Sequence, residues 1–114
     1  MLFYSYNESY LKQRGLNAAS TRAGNVIGGG DWSESRIIPD LVNSLINNEQ
    51  IEIRSPNATR PWQHVLEPLR GYLILAKLLY EKNGNQFIGS YNFGPKISNN
   101  VSVQNLVKKG YEIW

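Results

Sequence analysis

Two short stretches hold the residues whose types and spacing best suit work on a ligand. The first runs Arg22-Ala23-Gly24-Asn25-Val26-Ile27-Gly28-Gly29-Gly30-Asp31-Trp32, the second Arg60-Pro61-Trp62-Gln63-His64. Adjacent glycines let backbone approach a ligand closely and supply positive φ at no steric cost, although a surface turn uses them in the same way. The spacing Gly24-x-x-x-Gly28-Gly29-Gly30 matches neither the dinucleotide G-x-G-x-x-G nor a phosphate loop ending in Gly-Lys-Ser/Thr, so on spacing alone a plain turn is the simpler reading. Asn25 follows the carboxyl end of a strand candidate, where open α/β sheets place their ligand crevice. Its amide can donate to and accept from a sugar hydroxyl or a phosphate oxygen, or equally bond its own loop.

Arg60 lies between a turn and a helix start, and its planar guanidinium suits two-point phosphate binding. With Trp62 and His64 it could hold a pyrophosphate by charge and by the orphan amides of a helix start. Alternatively Trp62 is a core anchor and His64 its hydrogen-bonded neighbour, the commoner use of a lone histidine. One histidine and no cysteine leave no metal-ligand set with usable spacing and no thiol nucleophile, so no metal is expected. A Tyr-x-x-x-Lys pair, in which lysine lowers a phenol's pKa for proton transfer, does not occur in the 114 residues.

Short elements must position these groups. Tyr6, Tyr10 and Leu11 fall at helical spacing within 4–14, with Gly15 placed as a cap. Residues 16–22 read as a short buried strand leading into the glycine run. Ile37-Ile38, Leu41-Val42 and Leu45-Ile46 predict a helix over 37–48, with Pro39 in its first turn. Ile51-Glu52-Ile53-Arg54 alternates like a strand. Leu66, Leu69, Leu73, Ala76 and Tyr80 mark a helix over 65–80, with Pro68 in its first turn and Asn83-Gly84-Asn85 beyond its end. Residues 87–93 form a third strand candidate, and 103–113 a last helix that Gly110 should weaken. This alternation argues for α/β architecture with a narrow, three-stranded parallel sheet. Helices too few to cover both faces would leave its edges exposed.

Hydrophobic residues at 41% and aromatics at 11% are ordinary for a globular chain, and no linker or repeat divides it, so 1–114 reads as one segment. Twelve Lys and Arg against nine Asp and Glu give a net charge of +3, spread along the chain rather than gathered in a stripe. Nucleic-acid binding is therefore the weakest functional class. No apolar stretch approaches the roughly 20 residues a membrane helix needs, and no basic leader opens the chain; the expected setting is the cytoplasm, with no membrane partner.

Five ordered blocks carry a resemblance. They are the Arg22–Trp32 run, Arg36-Ile37-Ile38-Pro39-Asp40, Ile53-Arg54-Ser55-Pro56, Arg60 through Pro68, and Tyr91-Asn92-Phe93-Gly94-Pro95. Together they resemble the carboxyl-terminal half of the CDP-glucose 4,6-dehydratase family, within the extended short-chain dehydrogenase/reductases. Related enzymes acting on dTDP- or GDP-sugars show Asn-x-Tyr-Gly-Pro and Arg-Asp-Trp where this chain has Asn25-Val26-Ile27-Gly28-Gly29 and Arg60-Pro61-Trp62.

The resemblance implies a partial Rossmann-type parallel sheet with substrate-domain elements. It also implies a lyase that uses NAD to convert CDP-glucose to CDP-4-keto-6-deoxyglucose for polysaccharide synthesis. By it, Asn25 would meet the sugar-pyrophosphate region, Arg36 the nucleotide and Arg60 the phosphates, with Trp62 and His64 beside them and Asn100 a looser match. The glycine fingerprint, the acidic ribose partner and the catalytic pair have no counterpart in these residues. The expectation is thus a substrate-side portion that binds no NAD and is inactive alone, partnered by a separate NAD-binding half or a second copy. Another nucleotide-sugar epimerase or dehydratase, or a non-catalytic nucleotide-sugar binding module, are the alternatives.

Overall fold

The computed structural model describes residues 2–96 and 100–114. They condense into two compact units, each assembled from two separated stretches: Met1–Ala23 with Val65–Gly94, and Gly24–His64 with Pro95–Trp114.

The first unit opens on a helical segment whose pitch changes along its length. An α turn, α1 (Leu2–Tyr6), widens to a π turn over Asn7–Leu11 and tightens to a 3-10 turn over Lys12–Arg14. Gly15, at φ 66°, ends it as expected: its amide donates to Lys12 O at 3.1 Å, and the Leu16 amide donates to Leu11 O at 3.0 Å. The wide turn tucks Asn7 inside and leaves its Oδ1 without a hydrogen-bond partner. Lys12 Nζ meets Glu8 Oε2 at 2.9 Å one turn away, and this bond raises the lysine pKa.

Strand β1 (Ala19–Ala23) pairs in parallel with β5 (Gly89–Phe93), in register from Ala19 opposite Gly89 to Ala23 opposite Phe93. The strand expected over 16–22 is thus shorter and shifted, and it is not buried: Thr21 and Arg22 face solvent. The cause lies in its side chains, since Ser20 and Thr21 gain little from burial and Ser20 Oγ instead donates to Ser90 Oγ at 2.8 Å.

Helix α3 (Leu66–Tyr80) matches the expected span, with a buried Pro68 in its first turn. Its periodic stripe of Leu66, Leu69, Leu73 and Tyr80 nevertheless faces outward, while Leu75 is buried at 6% exposure. Gly71 decides which side turns inward. A Cβ there would run into the Phe93 ring, so only glycine lets the helix lie this close to β5, and Tyr72 then meets Phe93 edge-on at 5.2 Å between ring centroids.

In the second unit, β2 (Val26–Ile27) pairs in parallel with β4 (Gln63–His64), and β3 (Thr59–Arg60) pairs antiparallel with β6 (Val101–Ser102). Helices α2 (Ile37–Asn47) and α4 (Val103–Ile113) pack on each other through buried Leu41 and Val107. Gly110, read from sequence as a weak point, is where they touch: a Cβ there would overlap the Leu41 side chain. Asn48 closes α2 in the left-handed region at φ 53°, and Ser102 Oγ caps α4 by accepting from the Asn105 amide at 3.2 Å.

The α/β class with parallel pairing stands, but among the described residues the strands form three separate two-stranded ladders rather than one three-stranded sheet. The expected strand at 51–54 is absent. Ile51 and Ile53 keep their alternating half-burial because they line a cavity of about 600 Å³ against Leu45, Val107 and Tyr111, not because they pair with a strand.

Candidate functional site

All six residues singled out as ligand-binding fall in the second unit. Asn25, Arg36 and Trp62 line one cavity of about 430 Å³, together with Gly24, Val26, Asp31, Ser35 and the start of α2 at Ile37, Ile38 and Pro39. Its size is that of a small-ligand pocket. The larger cavity beside Tyr111 and Trp114 contains none of the six.

The floor is set by the β2–β4 pairing. The Gln63 amide donates to Asn25 O at 3.0 Å, which leaves the Asn25 side chain at the cavity wall. Gly24 is required by close approach, since a Cβ there would lie 2.9 Å from Pro61 Cγ. Trp62 serves two purposes: its ring lines the cavity, and its Nε1 donates to Val101 O at 3.1 Å, tying this stretch to β6. One edge of the indole thus anchors it to β6, while the ring borders the cavity.

Arg36 occupies the extended position just before α2, and the Asp40 amide returns to its carbonyl at 2.9 Å. The first amides of a helix lack intrahelical acceptors and carry partial positive charge, and Ile37 and Ile38 place that end of α2 on the cavity. Arg36 Nη1 donates to Asp31 Oδ2 at 2.8 Å, while Asp31 Oδ1 accepts from the Ser33 amide at 3.1 Å. Hydrogen bonding from Ser33, followed by the Arg36 guanidinium, holds the Asp31 carboxyl below the usual carboxylate range. Ser35 sits in the left-handed region at φ 62°, a costly conformation for a residue with a side chain, and it delivers Arg36 to the helix start.

Arg60, His64 and Asn100 do not line this cavity. Arg60 stands in β3 opposite Val101, with Nη1 donating to Thr59 O at 3.4 Å, and exposed Asn100 directly precedes β6. The β3–β6 ladder thus brings Arg60 and Asn100 into one neighbourhood, with Asn100 three residues ahead of α4. His64 is exposed in β4, opposite Ile27. Asp31 and Ser35 escaped sequence reasoning; the Asp-x-Ser spacing after the glycines is the turn signal that would have found Asp31.

The glycine run does not fit the pyrophosphate of a dinucleotide. Such a site needs a strand, a tight glycine turn and at once a helix start. Here β2 ends at Ile27 and α2 begins only at Ile37. No atom lies within 4 Å of a Cβ built at Gly29 or Gly30, and it is the φ of 79° that requires glycine at Gly30. Among the described residues, no group of three or more His, Asp or Glu is placed to hold a metal ion.

CDP-glucose 4,6-dehydratase of Salmonella typhimurium is 48% identical over 109 residues, which take in 96% of this chain and 30% of that protein. The UDP-glucuronic acid 4-epimerase from Bacillus cereus, solved with UDP-glucuronic acid and NAD, superposes with a TM-score of 0.76 at 18% identity, covering 98% of this chain and 32% of its own. A dTDP-glucose 4,6-dehydratase from Streptomyces venezuelae, solved with NAD bound, gives 0.72 at 20% identity over 97% of this chain and 31% of its own. UDP-glucose 4-epimerase from Thermotoga maritima, solved with UDP-glucose, gives 0.72 at 25% identity over 96% and 33%. The chain spans 30% to 33% of the length of these relatives. At 18% and 20% identity the likeness is one of fold. The sequence profile of the NAD dependent epimerase/dehydratase family matches residues 1–94, and the chain belongs to that family.

Proposed function

We propose that this chain carries the nucleotide-sugar-binding portion of a CDP-glucose 4,6-dehydratase. The observation that carries the reading is the 48% identity to the Salmonella enzyme across almost the whole chain. Asn25, Arg36 and Trp62 on one cavity of about 430 Å³ support it, because an amide, a guanidinium and a flat ring suit a sugar hydroxyl, a phosphate and a ring face respectively. In this reading Asn25 meets the sugar-pyrophosphate region, Arg36 the nucleotide side and Arg60 the phosphates, with Asn100 a looser nucleotide contact. Trp62 and His64 complete the binding stretch.

The reaction removes water from CDP-glucose to give CDP-4-keto-6-deoxyglucose, with NAD supplying the hydride chemistry when bound. These 114 residues contain no Tyr-x-x-x-Lys pair to move the proton, and their glycine run does not cradle a dinucleotide. The chain alone therefore binds the sugar nucleotide and does not turn it over; the acid/base pair and the NAD site belong to other residues, covalently continuous or in a partner half. The reading extends to a cytoplasmic step in making sugars for surface polysaccharide; no helix among the described residues is long and apolar enough to cross a membrane.

Incubation of the purified chain with CDP-glucose and NAD, followed by product analysis, tests the catalytic half of the proposal; formation of the keto sugar would overturn it. Competition among CDP-, UDP- and dTDP-glucose tests the specificity. Preference for UDP-glucose would move the assignment to an epimerase.

A further inference from the structure

Asp31 and Arg36 are the two charged residues among the ten that line the 430 Å³ cavity, and they are bonded to each other. Arg36 is a long side chain that is 63% exposed, so without a partner its guanidinium would spend most of its time in solvent. Asp31 is much less free. Its Oδ1 is fixed by the Ser33 amide two residues on, which aims Oδ2 along the wall toward Arg36 Nη1 at 2.8 Å. The backbone contributes from the other side, since Ser35, held at φ 62°, turns the chain so that Arg36 enters α2 facing the cavity.

We infer that Asp31 is a positioning residue: it holds the Arg36 guanidinium on the cavity wall, in place to meet the nucleotide side of a bound sugar nucleotide at its nucleoside-proximal phosphate, leaving Arg60 to the rest of the pyrophosphate. The inference rests on the reading proposed above for what the cavity takes. Only one of the five guanidinium donors is directed at Asp31 in this bond, so others remain to face an anion. A fixed carboxylate also repels phosphate. Pairing with Arg36 offsets that charge, and the gain from restricting a flexible arginine then decides the sign.

The test reads Arg36 itself. Phenylglyoxal modification of the full chain is followed by peptide mass mapping, with exposed Arg54 as internal reference. Replacing Asp31 by Ala should raise the reactivity of Arg36 relative to Arg54 about 1.4- to fivefold, the range an exposed ion pair is worth. Asp31→Glu should restore it, and Asp31→Asn, which keeps an acceptor for the Ser33 amide, serves if the alanine variant does not fold. Inorganic pyrophosphate should protect Arg36 in the wild type, and half-protection should need several times more pyrophosphate in Asp31→Ala. Unchanged reactivity of Arg36, no protection of the wild type, or tighter protection in Asp31→Ala would each overturn the inference. Protection by pyrophosphate but not by CDP-glucose would instead sink the sugar-nucleotide reading and leave the role of Asp31 intact.

Discussion

Replacing Trp62 by Phe separates the edge of this indole that bonds to β6 from the face that borders the cavity. The phenyl ring keeps an aromatic surface on the cavity but removes Nε1, the donor to Val101 O at 3.1 Å. A hydrogen bond of this kind contributes about 0.5–1.5 kcal/mol net. The half-buried five-membered part of the ring adds about 1 kcal/mol of lost apolar contact. The sum is a loss of about 2 kcal/mol. With a urea slope of about 1–3 kcal/mol/M for a chain of this size, the midpoint should fall by roughly 1 M in far-UV circular dichroism. Binding of CDP-glucose under native conditions should weaken only modestly, since the aromatic wall survives. An unchanged midpoint combined with loss of binding would refute the view that Trp62 ties its stretch to β6, and would leave it as a ligand contact alone.

Other consequences can be checked in the same way. Gly71→Ala should destabilise despite the gain of up to about 1 kcal/mol in helix propensity, because the new methyl meets the Phe93 ring and overpacking costs about 1–3 kcal/mol; a raised urea midpoint would show that the ring yields. Ser102→Ala removes the cap on the Asn105 amide and should cost about 1 kcal/mol of thermal stability, with no change in ligand affinity at constant temperature. Because the Asp31 carboxyl lies below its ordinary value of 3.8 in the folded chain, its contribution is present above that value and is lost as pH falls through the lowered one. The acid limb of a stability profile should therefore flatten in Asp31→Asn, and an identical limb would contradict the assignment.

The sequence was most readable where a single residue fixes local geometry. Gly15, the first-turn prolines Pro39 and Pro68, and the spans of α2 and α4 emerged from capping and period alone. It was least readable where a distant partner decides. Ile51 and Ile53 alternate because a cavity wall half-buries them, and alternation cannot distinguish that from a ladder. The period of α3 gave its span but not its inward side: periodicity marks an apolar face, and the glycine opposite Phe93 chooses the side that packs. In the site, Asn25 and Trp62 were legible as ligand-suited types and Arg36 only through the family resemblance, whereas their gathering on one cavity depends on the β2–β4 pairing and on a strained Ser35 that no pattern announces.

The most direct measurement is calorimetric titration of the folded chain with CDP-glucose, alongside Arg36→Ala and Arg60→Ala. Saturable binding by the wild type, weakened in both variants while their circular dichroism stays unchanged, is the predicted result. A folded wild-type chain that takes up no CDP-glucose would contradict the claim that these residues form the sugar-nucleotide site.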